Sequence, residues 1–296
     1  MIVRQKKRGV PPVLLYSLAG GLLVVVGLIV GIRASLVTEP VKQCAERYAR
    51  ATHLPYRSRD GAMLTTAELQ ARLLERDWGL QAHGTIRRVS GAPASEVLEV
   101  ALPEGGVDGG TTANPVSGVG FAWTPGSVRQ ARRACLTYSV WLPEDFDYGP
   151  GGVLPGLFGG SQSGPMTADG KRSYFAVRPV WQNNGRAAAY LATPTDARGR
   201  RQALDGAPVV VPRGRWVPIA EEIVLNTPGK SDGRIRLWVD GELKLDHERL
   251  AIRDSDALGF EGVSANVHYA PAGKADWAPA PAETYLRLSP FVVHWE

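Results

Sequence analysis

Beyond Trp78 the chain loses nearly all helical periodicity and becomes a series of short extended runs divided by Gly and Pro. Residues 97–102 form such a run and stop at Pro103. Residues 136–142 alternate Leu136, Tyr138, Val140 and Leu142 against Thr137, Ser139 and Trp141, the period of a half-buried strand. Further strands are expected over 209–211, 216–225, 234–239 and 285–294, with Asp240-Gly241 as a tight hairpin corner. Strands at this turn-separated spacing point to an all-β fold, a two-sheet β-sandwich or jelly roll.

Ahead of the strands the pattern is different. Residues 9–32 carry no charge, are mostly Leu, Val, Ile and Gly, and are long enough to cross a bilayer as a helix. Arg4, Lys6, Lys7 and Arg8 precede them, which places the N-terminus in the cytoplasm and exports the remainder to the periplasm or cell exterior. A cleaved signal peptide is the other reading; the long apolar run and the poor cleavage context Ile32-Arg33-Ala34 favour a retained single-pass anchor. Residues 34–57 are polar and mixed. Thr65 and Glu68 have capping-box spacing, and Leu69, Leu73 and Leu74 form the apolar stripe of one short helix. The expected organisation is an anchor over 1–33, a stalk with a short helix over 34–80, and a β-sandwich over 81–296.

The net charge of +5 belongs to the N-terminus. Five basic residues and no acidic one lie in the first 33, so the exported part carries 29 basic against 29 acidic side chains. That balance gives no reason to expect nucleic acid as a partner. Cys44 and Cys135 would both lie outside the cytoplasm, where disulfides persist; a bridge and two separate buried thiols both remain open.

Local chemistry concentrates in residues 173–193, SYFAVRPVWQNNGRAAAYLAT, which read as a β-hairpin. With Asn183, Asn184 and Gly185 as a three-residue loop and Gly185 left-handed, Arg178 faces Tyr190 and Ala176 faces Ala192 on one side of the sheet. A two-residue Asn184-Gly185 turn would separate Arg178 from Tyr190. Trp181 falls on the opposite, core-facing side. Pro179 cannot donate a ladder bond, so an edge or a bulge is expected there.

Other chemistry-bearing motifs are missing. The sequence has no HExxH, no paired CxxC and no phosphate loop, and Gly159-Gly160-Ser161-Gln162-Ser163 lacks the last Gly of a nucleophile elbow. His53, His83, His247, His268 and His294 are scattered, so no metal or cofactor is expected. Glu144, Asp145 and Asp147 form the one dense acidic cluster, read as a solvated turn.

At 141–160, WLPEDFDYGPGGVLPGLFGG, the chain resembles the family-14 polysaccharide lyases and the related glucuronan lyases. Their stretch runs Y-F-P-E-D-F-D-x-x-x-G-G-K-L-P-G-L-x-G-G. The likeness continues through 175–190, 216–242 and 277–291, covering roughly residues 95 to 296. It implies a jelly-roll (concanavalin-like) sandwich with a glycan groove, and β-elimination on an acidic polysaccharide of the alginate or glucuronan type. Arg178 and Tyr190 match the family's S-x-R and Y-x-Y positions and become the implied catalytic pair. Arg178 would neutralise a uronate carboxylate, and Tyr190 would carry protons. Gln162, Lys171, Arg172 and His268 are the expected substrate-binding residues from neighbouring loops.

The departures cluster on the same patch. Ala176 stands where the family has Ser, Ala192 where it has a second Tyr, and Val153 where it has Lys. The alternative is therefore a non-catalytic glycan-binding module that keeps Arg178 and the groove without turnover.

Overall fold

A computed structural model describes residues 43–73, 77–106, 117–161, 173–194, 202–204, 206, 210–270 and 278–296. Its strands are β1 (Arg50–Leu54), β2 (Gly84–Arg88), β3 (Glu96–Leu102), β4 (Val119–Trp123), β5 (Arg133–Trp141) and β6 (Gly151–Val153). They continue as β7 (Gly156–Gly160), β8 (Tyr174–Gln182), β9 (Ala187–Ala192), β10 (Gln202–Leu204) and β11 (Trp216–Val224). The last are β12 (Gly233–Val239), β13 (Glu242–Leu250), β14 (Gly262–Tyr269), β15 (Thr284–Leu288) and β16 (Phe291–Trp295). Two short helices, α1 (Thr66–Ala71) and α2 (Leu80–His83), precede β2.

The strands form the expected sandwich. One sheet runs β13-β12-β11-β5-β15-β3-β2, with β16 pairing β5 and β1 pairing β16; the other runs β10-β9-β8-β6-β14-β4, with β7 bridging β8 and β14. Alternate residues enter the core between them: Leu136, Tyr138 and Val140 from β5, Phe175, Val177 and Trp181 from β8, Val263, Ala265 and Val267 from β14. Trp181 is a core residue, as its register required. Asp240 and Gly241 both take positive φ, 58° and 80°, at the corner from β12 to β13.

Three expectations need correction. The run 285–294 is two strands, β15 and β16, because Pro290 has no N–H to continue a ladder. Ser289 patches the break: its backbone N–H donates to the Ser139 carbonyl, and its Oγ accepts from the Ser139 N–H at 2.8 Å. Pro179 lies on a central strand, so the edge alternative fails; the expected bulge is present, but on the neighbouring strand and not on β8. Val153 pairs with Val180 and Phe158 with Ala176, so the register slips by one between β6 and β7, at Leu154-Pro155. The third correction concerns the stalk.

Residues 43–73 and 77–80 are part of the sandwich. β1 pairs with β16, and Leu54, Tyr56, Leu64, Leu69 and Leu73 belong to the main core. Helix α1 has the expected capping box, with the Thr65 Oγ1 accepting from the Glu68 N–H and the Glu68 carboxylate accepting from the Thr65 N–H. Cys44 and Cys135 form a disulfide with Cα atoms 5.8 Å apart. Among the described residues no helix is long and apolar enough to cross a membrane; the apolar run 9–32 lies outside them.

Adjacent glutamates on β11 show how the strand period sets chemistry. Glu222 points outward and receives Arg47 at 2.6 Å, Arg236 at 2.7 Å and the Tyr48 hydroxyl. Burial works to raise its pKa, but these donors together hold the carboxyl below its ordinary range. Glu221 points into the core, fully buried, and its Oε1 accepts from the Leu157 N–H at 2.9 Å across the sandwich. Tyr138 likewise donates to the Pro155 carbonyl at 3.0 Å. The two groups support the β6–β7 break from beneath.

Burial raises the Glu221 carboxyl well above its ordinary value, more than the Leu157 N–H lowers it. The folded state therefore keeps a proton that the unfolded chain releases above its ordinary pKa, and stability falls as pH rises through that window. Glu221→Gln keeps the acceptor but does not ionise. Thermal melts should match wild type at about pH 4 and show a more stable variant at about pH 8. Parallel curves across that range would contradict the buried neutral acid.

Candidate functional site

The hairpin forms in the three-residue register. Arg178 pairs with Tyr190 and Ala176 with Ala192. The Gln182 N–H donates to the Arg186 carbonyl at 2.8 Å, and Gly185 takes φ 75°. Gly185 is required for a second reason: a Cβ there would lie 2.5 Å from the Tyr148 ring. Antiparallel alternation turns the Pro179 nitrogen away from β9 and toward β6–β7, where Leu154 donates to the Pro179 carbonyl at 2.9 Å. The proline and the register slip thus accommodate each other one residue from Arg178.

The side of this sheet facing away from the core carries the candidate residues. Asn266 sits on β14, across the β6–β7 break from Arg178. With its amide oxygen turned to the guanidinium it accepts from both Nη1 and Nη2, at 3.0 and 3.1 Å. Tyr174, four residues before Arg178 on the same strand face, places its hydroxyl 3.5 Å from Nη2. His268 pairs with Val153, which pairs with Val180, so His268 shares the face of Arg178. The Trp78 ring meets His268 edge-on at 5.9 Å. Trp78 exchanges backbone bonds with Gly120, and a Cβ on Gly120 would lie 2.0 Å from Nε1, so the glycine makes room for the indole.

The patch is closed rather than solvated. Arg178 is 5% exposed, Tyr190 7% and His268 3%. Around them lie two small apolar clusters, one of Val153, Val180, Ala188, Tyr190 and Ala270, the other of Phe158, Tyr174 and Ala176. A guanidinium in such surroundings acts on a carboxylate far more strongly than in water. Asn266 and Tyr174 fix the orientation of the guanidinium on this face.

Arg178, Tyr190 and His268 are therefore brought to one face. Gln162, Lys171 and Arg172 lie outside the described residues. Glu144, Asp145 and Asp147 are exposed, and Asp147 accepts from the Gly149 N–H at 2.9 Å, the side-chain turn expected of them. Among the described residues no group of three or more His, Cys, Asp or Glu side chains could hold a metal ion. Asn266, Tyr174 and Trp78 were missed by sequence reasoning. Asn266 was findable: in SANVHY, Ser264, Asn266 and His268 alternate with Ala265 and Val267, so a strand there puts Asn266 beside His268.

The fold and this face together define a two-sheet jelly roll of the kind found in polysaccharide lyases. The family model for Polysaccharide lyase 14 matches residues 91–288, and the chain belongs to that family. Among solved structures it is similar to the PL-14 alginate lyase from Aplysia kurodai, with TM-score 0.63 and 20% identity over 84% of this chain and 99% of that one. Alginate lyase vAL-1 from Chlorella virus matches with TM-score 0.58 and 19% identity over 72% of this chain and 89% of that one. The endo-beta-1,4-glucuronan lyase from the fungus Trichoderma reesei matches with TM-score 0.50 and 14% identity, over 72% and 87% of the two chains. No curated protein sequence matches the chain.

Proposed function

We propose that the protein cleaves a uronic-acid polysaccharide of the alginate or glucuronan type by β-elimination. The observation that carries this reading is the Arg178 guanidinium, buried, held on both Nη groups by Asn266, and paired across the hairpin with Tyr190. In the proposed reaction Arg178 and Asn266 bind the uronate carboxylate and lower the cost of removing the C5 proton. Tyr190, as phenolate, takes that proton. The C5–H electrons form the C4–C5 double bond, the C4–O4 bond breaks, and O4 leaves with a proton from Tyr190 or His268. Gln162, Lys171 and Arg172 complete the proposed substrate contacts.

A second reading, a glycan-binding module without turnover, is favoured by one specific feature. Ala176 faces Ala192, and Val153 lies opposite His268, so three positions beside Arg178 present only hydrocarbon. Incubation with alginate and glucuronan, followed by ultraviolet absorbance of unsaturated uronate, separates the two. Product from either polymer establishes the lyase; binding of both with no product overturns it and leaves the module.

We further propose that residues 9–32 anchor the chain in a membrane with the N-terminus cytoplasmic and the sandwich exported. The Cys44–Cys135 disulfide supports this placement, since such bonds persist in oxidising compartments.

A further inference from the structure

The nine-stranded sheet presents its own outward side on the other layer of the sandwich, and none of it takes part in the chemistry above. At one end Arg287, Trp141 and Trp216 lie side by side across β15, β5 and β11. All three are half-buried. Trp141 stacks on Tyr285 with ring centroids 5.8 Å apart, and the Arg287 guanidinium lies over both rings at 4.7 and 4.9 Å. Arg287 spends its Nε on Glu99, at 2.9 Å. Arg215, 51% exposed, gives one fork to Asp240. Between Ser90, Trp141, Arg215, Trp216 and Arg287 opens a cavity of about 490 Å³.

A second cavity of about 310 Å³ lies farther along the same strands, lined by Gln43, Thr137, Ser139, Ser289 and Trp238. Trp141, Ser139 and Thr137 are alternate residues of β5, so the two cavities lie along one strand face about 14 Å long. Trp238 is 1% exposed, and its Nε1–H has no partner. A buried indole N–H normally finds an acceptor, and this one borders a cavity.

These groups select a ligand class. Flat rings suit the apolar face of a pyranose, serine and threonine hydroxyls suit its hydroxyls, and two arginines at one end suit carboxylates. A nucleic acid is disfavoured, because Glu99 and Asp240 stand beside the same arginines and would meet a continuous line of phosphates. A uronate chain also carries a carboxylate on every sugar, but its pyranose rings bring the apolar faces and hydroxyls that the indoles and the Thr137, Ser139 and Ser289 hydroxyls suit.

We propose that this face is a second glycan-binding site, where a uronate-bearing chain lies along β5 with its rings on Trp216 and Trp141 and its carboxylates on Arg215 and Arg287. The ligand class rests on the acidic-polysaccharide reading of the Arg178 site, while the binding itself does not depend on turnover there. Such a site holds a long polymer on the protein while the Arg178 face engages another stretch or another chain.

The test compares full-length wild type, Trp216→Ala, Arg215→Ala and Arg178→Ala for binding to polymeric alginate and glucuronan by affinity electrophoresis, with a neutral glucan as control. Trp216→Ala and Arg215→Ala should each weaken polymer binding about tenfold, and leave release of unsaturated uronate from short oligomers unchanged. Arg178→Ala should lose turnover and keep most polymer binding. Unchanged polymer binding in both Trp216→Ala and Arg215→Ala overturns the proposal, as does equal or tighter binding to the neutral glucan. A Trp216→Ala protein without a cooperative melt leaves the decision to the exposed Arg215. If wild type releases no unsaturated uronate the lyase reading fails alone, because the binding comparison still decides this site.

Discussion

Replacing Arg178 by Ala is expected to lower kcat on a uronate polymer by about a thousandfold, with a much smaller change in KM. The carboxylate beside C5 gains charge as the proton leaves, so the guanidinium interacts more strongly with the transition state than with the bound substrate. The site is 5% exposed at Arg178, which removes the water that would otherwise screen that charge. Arg178→Lys tests the geometry apart from the charge. An ammonium cannot give two parallel bonds to the Asn266 oxygen, which now accepts at 3.0 and 3.1 Å, and activity should stay about a hundredfold down. Adding Tyr190→Phe to Arg178→Ala should cost little more than either change alone, since groups acting on one proton transfer lose their effect together. An Arg178→Ala protein that melts like wild type and turns over within threefold of it would remove Arg178 from the mechanism.

The hairpin was legible because its register followed from a few residues. Asn183, Asn184 and Gly185 determine a loop length, and a period of two then places Arg178, Tyr190, Ala176 and Ala192 without further information. The alternation in β5 and the capping box of Thr65 and Glu68 were legible for the same reason, being local patterns with a physical period. What failed was long-range. Pro179 signals an edge or a bulge, but nothing near it announces that the slip will fall on the partner strand at Leu154-Pro155, or that Glu221 and Tyr138 will cross the core to support that break. The polar residues 43–57 look like a stalk until β1 finds β16, more than 230 residues away in the chain. Asn266 and Arg178 meet only because β6 and β7 share the space between β14 and β8. Closure of the patch was also hidden, since an Arg-Tyr pair on a sheet reads the same whether it is covered or wet.

Replacing Cys44 and Cys135 together by Ser is expected to reduce unfolding free energy by about 4 kcal/mol and the melting temperature by roughly 10 °C. The bridged residues are 91 apart in sequence, so the bond excludes a large share of the open conformations of the unfolded chain. Its folded-state role points the same way. Cys44 begins the described chain's contact with β5, and three residues later Arg47 and then Tyr48 reach Glu222 on the next strand. Without the bond, ordering that segment rests on the Glu222 cluster and on the packing of Tyr48, Ala220 and Trp238. The cluster weakens in acid, because the Glu222 carboxyl is held below its ordinary range and its contribution drains as pH falls through the folded value. The double variant, with less stability in reserve, should therefore unfold at a higher pH than wild type as acid carries Glu222 from the ordinary carboxylate value down through its depressed one. Reductant should shift the wild-type melt by the same amount and leave the variant unmoved. The bond joins the outward side of the nine-stranded sheet, the layer opposite Arg178, so turnover per folded molecule should be unchanged. A wild-type melt indifferent to complete reduction would mean that packing of Tyr48, Ala220 and Trp238 around the sulfurs holds the segment without the covalent link.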